Sequence, residues 1–250
     1  MSSDLFTDLT DVYEAMIDWP KRLANEEPFY RRWFERAGVR RVLDAACGTG
    51  RHAAMFHAWG LRVEGADLSE GMIRRARASF GQPGGLRWVV RGFDRPVEAA
   101  EPFDAVVCTG NSLALAADVA TVRQALRQIL RAVGRGGIVV IQVLNLWHLA
   151  DGPCLWQKCR RATLPQGEML ILKGVHRCGT RGYVDLVLAE YPGGGLAHSE
   201  SVPFLGLEPA DLEQTARDAG AARVELFGGY RDQRYDRQES VDLVMIVEKT

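Results

Sequence analysis

The run Val42-Leu43-Asp44-Ala45-Ala46-Cys47-Gly48-Thr49-Gly50 constrains this chain more than any other stretch. A short apolar strand carries a carboxylate to its carboxyl end and then breaks into a glycine turn. Glycine tolerates the backbone such a turn needs, and lets a ligand lie against the main chain. RHAAMFHAWG follows with helical spacing and ends at Gly60. Strand and helix then keep alternating: LRVEGADLS, the helix GMIRRARASF with Ser69 or Glu70 near its start, and GLRWVVRGF. FDAVVCTG is a fourth strand, almost continuously apolar, as a strand covered on both faces must be. VATVRQALRQILRAV sets Val119, Val122, Leu126, Ile129, Leu130 and Val133 on one helical face, GRGG stops it, and IVVIQVLN is a fifth strand. Alternation from residue 40 to 145 predicts an α/β fold with a doubly wound, mostly parallel sheet.

The flanks follow other rules. DVYEAMIDW carries Val12, Ala15, Met16 and Trp19 near helical spacing, and PFYRRWFERAG reads as a helix opened by Pro28 and stopped by Gly38. Residues 146–206 hold Pro153, Pro165, Gly193-Gly194-Gly195 and two strand-like runs, MLILKGVH and YVDLVLAEY. That pattern predicts antiparallel strands inserted over one end of the sheet. EPADLEQTARDAG is a last helix, and ARVELFGGY and SVDLVMIVEK are two closing strands joined by a polar turn. With no repeat, linker or low-complexity segment, the expectation is one domain over 1–250. Within it, residues 1–40 supply N-terminal helices and 146–206 an inserted lid.

Apolar residues make up 47% and charged residues 25%, and 31 Lys+Arg against 32 Asp+Glu leave a net charge of -1. An enzyme of nucleic acids neutralises phosphates with a basic excess, so no nucleic-acid partner is expected. No apolar run approaches the roughly 18 to 20 residues that span a bilayer, so no membrane partner is expected either. The start, MSSDLFTDLTDVYEAM, carries acids where a signal peptide carries basic and then apolar residues. Five cysteines form no CxxC pair, which reads as reduced thiols in the cytoplasm. Cys154 and Cys159 have four residues between them, and the plainer reading gives them no metal or redox role.

Two ligand readings compete at the glycine turn. Gly48-x-Gly50-x-x-Ala53 is formally a dinucleotide fingerprint, with a pyrophosphate on the helix N-terminus. Asp44, four residues before the first glycine, repels a pyrophosphate and suits a cation. S-adenosylmethionine, with a sulfonium, an α-ammonium and no phosphate, is such a ligand. Asp67 ends the second strand 17 residues after Gly50, where an acid accepts hydrogen bonds from ribose hydroxyls of either ligand.

Taken together, VLDAACGTG, VEGADLSEGMIRRAR, FDAVVCTGNSL and LRAVGRGGIVVIQ resemble the class I S-adenosylmethionine-dependent methyltransferases. GNSLAL after the fourth strand is similar to glycine N-methyltransferase-like enzymes and to small-molecule N-methyltransferases, including those acting on amino sugars. The resemblance implies a Rossmann-like sheet of seven strands with an antiparallel terminal strand, and S-adenosyl-L-methionine as cofactor. Carried onto this chain, the glycine loop falls on Asp44, Ala46, Gly48 and Gly50. The ribose acid falls on Asp67, with Leu68 and Met72 lining the adenine and Phe93-Asp94 flanking it. Arg22 corresponds to the arginine that grips the methionine carboxylate, by a fork of donors. Tyr13 and Trp19 would close over the cofactor, and Gly110 and Asn111 would stand where the methyl group emerges.

The resemblance also sets the acceptor side. Asn111, Asn145 and His148 are the expected catalytic positions, with the lid shaping the site for a small-molecule methyl acceptor. One departure stands out. In the glycine enzymes an arginine after the fifth strand binds the substrate carboxylate, and here that segment is Leu144-Asn145-Leu146. An unpaired carboxylate beside leucine is costly, so glycine is not the expected substrate unless Arg231 or Arg234 replaces the lost charge. The fourth strand ends in Thr109-Gly110-Asn111-Ser112, without the Pro-Pro-aromatic box of nucleic-acid amino methylases or a Pro-Cys nucleophile. No acidic cluster follows it to hold a catalytic metal. The expected reaction is in-line methyl transfer to an amine nitrogen, of an amino-acid derivative or an amino sugar. Its rivals are O-methylation with a lid histidine (His148, His176 or His198) as base, a nicotinamide-dependent oxidoreductase, and a binder that senses the cofactor without turnover. Oligomeric state stays open.

Overall fold

The computed structural model describes residues 10–249. The first nine residues of the expected N-terminal cover lie outside the described residues.

Two helices open the described residues, α1 (Thr10–Met16) and α2 (Trp19–Arg36). The break falls at Asp18, whose side chain accepts from Lys21 N and caps α2, with Pro20 in its first turn. Pro28, expected to open a helix, sits inside α2 instead. The Rossmann-like core then runs β1 (Arg41–Asp44), α3 (Arg51–Ala58), β2 (Arg62–Asp67), α4 (Glu70–Phe80), β3 (Leu86–Val90), β4 (Phe103–Cys108), α5 (Val119–Ala132) and β5 (Val133–Leu144). After β6 (Leu155–Leu164), β7 (Gly167–Cys178), β8 (Arg181–Glu190) and β9 (Leu196–Leu205), the chain returns through α6 (Pro209–Asp218), β10 (Ala221–Phe227) and β11 (Asp242–Lys249).

Seven strands form one sheet in the order β10-β11-β5-β4-β1-β2-β3. The β1–β5 strands pair in parallel, and β11 runs antiparallel between β5 and β10. The strand order reverses at β1, between β4 and β2, and at such a switch point strand carboxyl ends diverge and leave a crevice. Both sheet faces are covered. On one, Leu126, Ile129, Leu130 and Leu212 pack with Val106, Ile141 and Met245. On the other, Phe29, Tyr30, Phe34 and Phe56 pack with Val42, Val107 and Val244.

The β6–β9 strands make a separate antiparallel sheet, order β6-β7-β8-β9. The apolar runs of β7 and β8 announce themselves in the sequence, whereas β6 and β9 are polar edge strands with exposed side chains. One face of this sheet forms a small core with α1: Val12 and Met16 pack with Leu164, Met169, Ile171, Leu186 and Leu188. Among the described residues no helix is long and apolar enough to cross a membrane.

Candidate functional site

The glycine turn is pinned from both sides. Ala45 N donates to Val107 O at 2.8 Å and Cys47 N to Ala66 O at 2.9 Å, so neighbouring strands β4 and β2 fix its course. Gly50 is left-handed at φ +86°, and a Cβ there would stand 2.5 Å from the Trp88 ring. Asp67 turns its carboxylate onto the loop, accepting from Gly48 N at 2.8 Å and from Ser69 N at 2.9 Å. Helix α1 is latched above. Glu14 accepts from Thr49 Oγ1 and pairs with Arg51, while Asp11 pairs with Arg75 at 2.9 Å. These latches hold the Tyr13 ring against Gly48.

Between loop and helix lies a pocket of about 210 Å³. Ten of the expected cofactor residues line it: Tyr13, Trp19, Arg22, Ala46, Gly48, Asp67, Leu68, Met72, Phe93 and Gly110. Leu68 is 75% exposed at the mouth, whereas Met72 is buried, so together with Phe93 they form an apolar slot open at one edge. Gly50 does its work behind the wall, as the close-packed turn. Asp94 is not part of the lining; its carboxylate lies 3.6 Å from Arg95, and Phe93 alone supplies that wall.

Asp44 is 2% exposed, directly before Ala45 and Ala46 of the lining. Its Oδ2 has no hydrogen-bond partner among the described residues. Burial pushes its carboxyl up to about 7; His52 opposes the shift and Asp67 adds to it. The donor set fits S-adenosylmethionine. The slot suits a flat adenine, the Asp67 carboxylate suits ribose hydroxyls, and an acid with a spare oxygen suits a cation rather than a pyrophosphate.

Arg22 belongs to a buried network that sequence reasoning reads only in part. Its Nε donates to Glu26 Oε1 at 2.8 Å, and Glu26 Oε2 lies 2.6 Å from His52 Nε2. Burial alone would lower the Arg22 pKa, but the Glu26 carboxylate outweighs it and holds the guanidinium firmly charged. Burial would raise Glu26, yet hydrogen bonding and charge from His52, with Arg22, hold it below the usual carboxylate range. Glu26 stands one helical turn after Arg22, a signal the i,i+4 rule could have found. Nothing in the sequence pairs His52 with either.

A second, larger chamber of about 790 Å³ adjoins the first, sharing Tyr13, Arg22, Gly110 and Leu115 in its walls. Its roof is the inner face of the small sheet, through Val184, Leu186 and Val202, with Met16 and Ile17 from the α1 end. Lys21, Lys158, Lys173 and Arg231 add positive charge. Burial pushes the Lys173 ammonium down to about 8, with Lys158 and Arg22 adding to the shift and Asp242 opposing it.

Asn111 stands where the two spaces meet, in a left-handed conformation at φ +66°. Gln142 holds this turn: its Oε1 accepts from Gly110 N at 2.7 Å and Asn111 N at 3.2 Å, and its Nε2 donates to Asp242 Oδ1 at 2.7 Å. Asn111 Oδ1 in turn accepts from Leu144 N at 2.9 Å. Nothing in the sequence marks Gln142, which sits inside an apolar strand.

The other two expected catalytic positions are not brought to the chamber. Asn145 is saturated elsewhere: its Nδ2 donates to Arg237 O and Ser240 O, and its Oδ1 accepts from Tyr235 OH and Trp147 N. The backbone pairing of Asn145 N with Val241 O turns this side chain toward the loop between β10 and β11. His148 is exposed, 2.9 Å from Gln238 O, and lines neither space. Among the described residues no histidine lines the larger chamber. Of the two arginines named as replacements, Arg231 lines it and Arg234 does not.

A family model described as "Methyltransferase domain" matches residues 42–137, from β1 into β5. The glycine/sarcosine N-methyltransferase of Parasynechococcus marenigrum (strain WH8102) is 28% identical over 234 residues, covering 90% of this chain and 78% of that protein. The glycine N-methyltransferase of Oryctolagus cuniculus is 34% identical over 144 residues, and the match spans 50% of this chain and 49% of that protein's length. Among solved structures, the CcbJ methyltransferase from Streptomyces caelestis superposes with a TM-score of 0.78 at 21% identity, covering 97% of this chain and 96% of that one. The sugar N-methyltransferase KedS8 from Streptoalloteichus does so with a TM-score of 0.70 at 24% identity, covering 91% and 87%. At these identities the structural likeness speaks for the fold.

Proposed function

Since the chain belongs to the class I S-adenosylmethionine-dependent methyltransferases, we propose that it methylates the nitrogen of a small amine that also carries an acidic group. The observation that carries this reading is the chamber beside Gly110 and Asn111, walled by Lys21, Lys158, Lys173 and Arg231 and by no histidine among the described residues. The glycine/sarcosine N-methyltransferase named above supports nitrogen as the acceptor atom. The chamber is far larger than glycine requires, which favours a bulkier amino-acid derivative or an acidic amino sugar. Arg231 stands where a carboxylate or phosphate can be paired, and so supplies the charge missing from Leu144-Asn145-Leu146.

S-adenosylmethionine, when bound, supplies a methyl group already activated on a sulfonium, so positioning can provide most of the catalysis. Asp67, Leu68, Met72 and Phe93 would hold the adenosyl half, and Arg22 the methionine half, with Asp44 buried directly behind Ala45 and Ala46 of the lining. Tyr13 and Trp19 close over that pocket and exclude water. The lysines and Arg231 have two effects on an acceptor. They pair its acidic group, and their field disfavours a second positive charge, lowering the pKa of its ammonium. The amine therefore enters with its lone pair free, and no dedicated base is required. The small sheet acts as the lid, with Asn111 and its Gln142 support fixing the floor opposite.

The test is a methyl-transfer screen pairing acidic amines with their hydroxyl and neutral counterparts. Acidic amines should be the best acceptors, and Lys173→Met and Arg231→Met should each raise their KM about tenfold or more, leaving KM for S-adenosylmethionine within about twofold. Transfer to the hydroxyl counterparts at equal rate would overturn the reading, as would variants that leave KM unchanged.

A further inference from the structure

The small sheet has a second face. Along β8 the side chains alternate, Val184 and Leu186 toward the chamber, Asp185 and Val187 away from it into a separate open hollow of about 350 Å³. Three side chains converge there from three segments. Cys154 comes from the residues just before β6, His176 from β7 and Asp185 from β8.

Their donor atoms all lie within 4.8 Å of one another. Asp185 Oδ2 is the common point, 2.6 Å from His176 Nδ1 and 3.4 Å from Cys154 Sγ. Ser201 Oγ donates to the other oxygen, Oδ1, at 2.7 Å and so orients the carboxylate from behind. The His176 ring is stacked on Tyr183 at 4.8 Å between centroids, which fixes its plane. Cys154 sits directly over Gly174: a Cβ at that glycine would stand 2.5 Å from Sγ, so any side chain would displace the sulfur. The sequence drew attention to Cys154 for its spacing from Cys159, but the fold pairs it with a histidine and an acid instead.

We propose that Cys154, His176 and Asp185 form a zinc-class metal-binding site on the outer face of the small sheet. A thiolate, an imidazole and a carboxylate together suit a borderline-soft divalent ion and discriminate against magnesium and calcium, which take oxygen ligands. Three protein ligands leave a fourth position for water, and the hollow is open to supply it. Ser201 and Tyr183 provide the outer support that metal ligands need to keep their orientation. Binding breaks the contacts of His176 Nδ1 and Cys154 Sγ with Asp185 Oδ2, sends the thiol proton to solvent and keeps the imidazole proton on Nε2, while Sγ, Nδ1 and Oδ2 replace waters on the incoming ion. The bound ion would tie the segment entering β6 to β7 and β8 and stiffen the sheet that roofs the chamber. This site is independent of the methyl-transfer reading, because it lies on the opposite face and its test requires no turnover.

The experiment strips the full-length protein with chelator and titrates it with zinc by calorimetry, and with cobalt(II) by absorption. One zinc per chain is expected, at micromolar Kd or tighter, with a sulfur-to-cobalt charge-transfer band in the cobalt protein. Cys154→Ser should abolish that band, and His176→Ala and Asp185→Asn should each weaken zinc at least tenfold. Cys159→Ser and Cys178→Ser, which alter exposed thiols elsewhere on the sheet, should leave both readouts unchanged. Circular dichroism of each variant checks that it remains folded. Absence of saturable zinc binding to the unaltered protein would overturn the proposal. So would binding that survives Cys154→Ser and His176→Ala at full strength, which would assign the metal to other thiols.

Discussion

An aspartate held with one oxygen unsatisfied is uncomfortable when ionised, and Asp44 is in that position. Its folded-state pKa, about 7, lies above the roughly 3.9 of an unfolded chain. With the folded value raised, its contribution to stability is complete below about pH 4 and is lost as pH rises through about 7. A cationic ligand reverses the preference by selecting the ionised form. S-adenosylmethionine affinity should therefore climb as pH rises from 6 to 8, by up to about tenfold per unit below the pKa, with a proton released on binding. Calorimetry in buffers of different ionisation enthalpy measures both, and Asp44→Asn should flatten the profile. A flat profile in the unaltered protein would show that Asp44 does not face the ligand's charge. This residue and Asp67 are legible in the sequence because each is the last residue of an apolar strand, where chain position alone dictates spatial position. His52 and Gln142 are not, since their partners Glu26 and Asp242 are 26 and 100 residues away. Asn145 shows the reverse error: resemblance placed it at the chemistry, and its own hydrogen bonds hold it in a structural turn.

At the scale of elements, the helices and strands of the core follow their hydrophobic period, and the sequence locates them. The small sheet is half legible. Its inner strands β7 and β8 bury apolar side chains against α1, whereas β6 reads LWQKCRRATL and is exposed along most of its length. A strand that buries only its last residue leaves no periodic mark, so pairing to β7 defines it rather than composition. The joint core with α1 makes a specific demand. Ile171→Ala removes buried methyl groups from it and should cost about 2–5 kcal/mol where that core unfolds. Hydrogen exchange should speed in α1 and the small sheet while the seven-stranded sheet stays protected, and KM should rise for both substrates. Equal loss of protection across both sheets would mean the two cores unfold as one unit.

At the scale of the whole molecule, the switch point at β1 gathers one end of each of three strands, and both sequence anchors of the proposed cofactor pocket follow from it. The larger chamber, the proposed acceptor site, has no such generator. Its cations come from α2, β6, β7 and the loop after β10, and a net charge of -1 conceals them until the chain is folded. The same assembly carries a kinetic consequence. Tyr13 stands in the wall of both spaces, while Val12 and Met16, on either side of it, are sealed into the sheet above. The wall over the first pocket and the roof over the larger chamber are thus joined through α1 as one part. On the proposed reading, the expectation is that product release waits on movement of that part, a motion through solvent rather than a chemical step. Turnover at saturation should then slow in proportion to added viscogen, and a kcat indifferent to viscosity would mean that release does not wait on it.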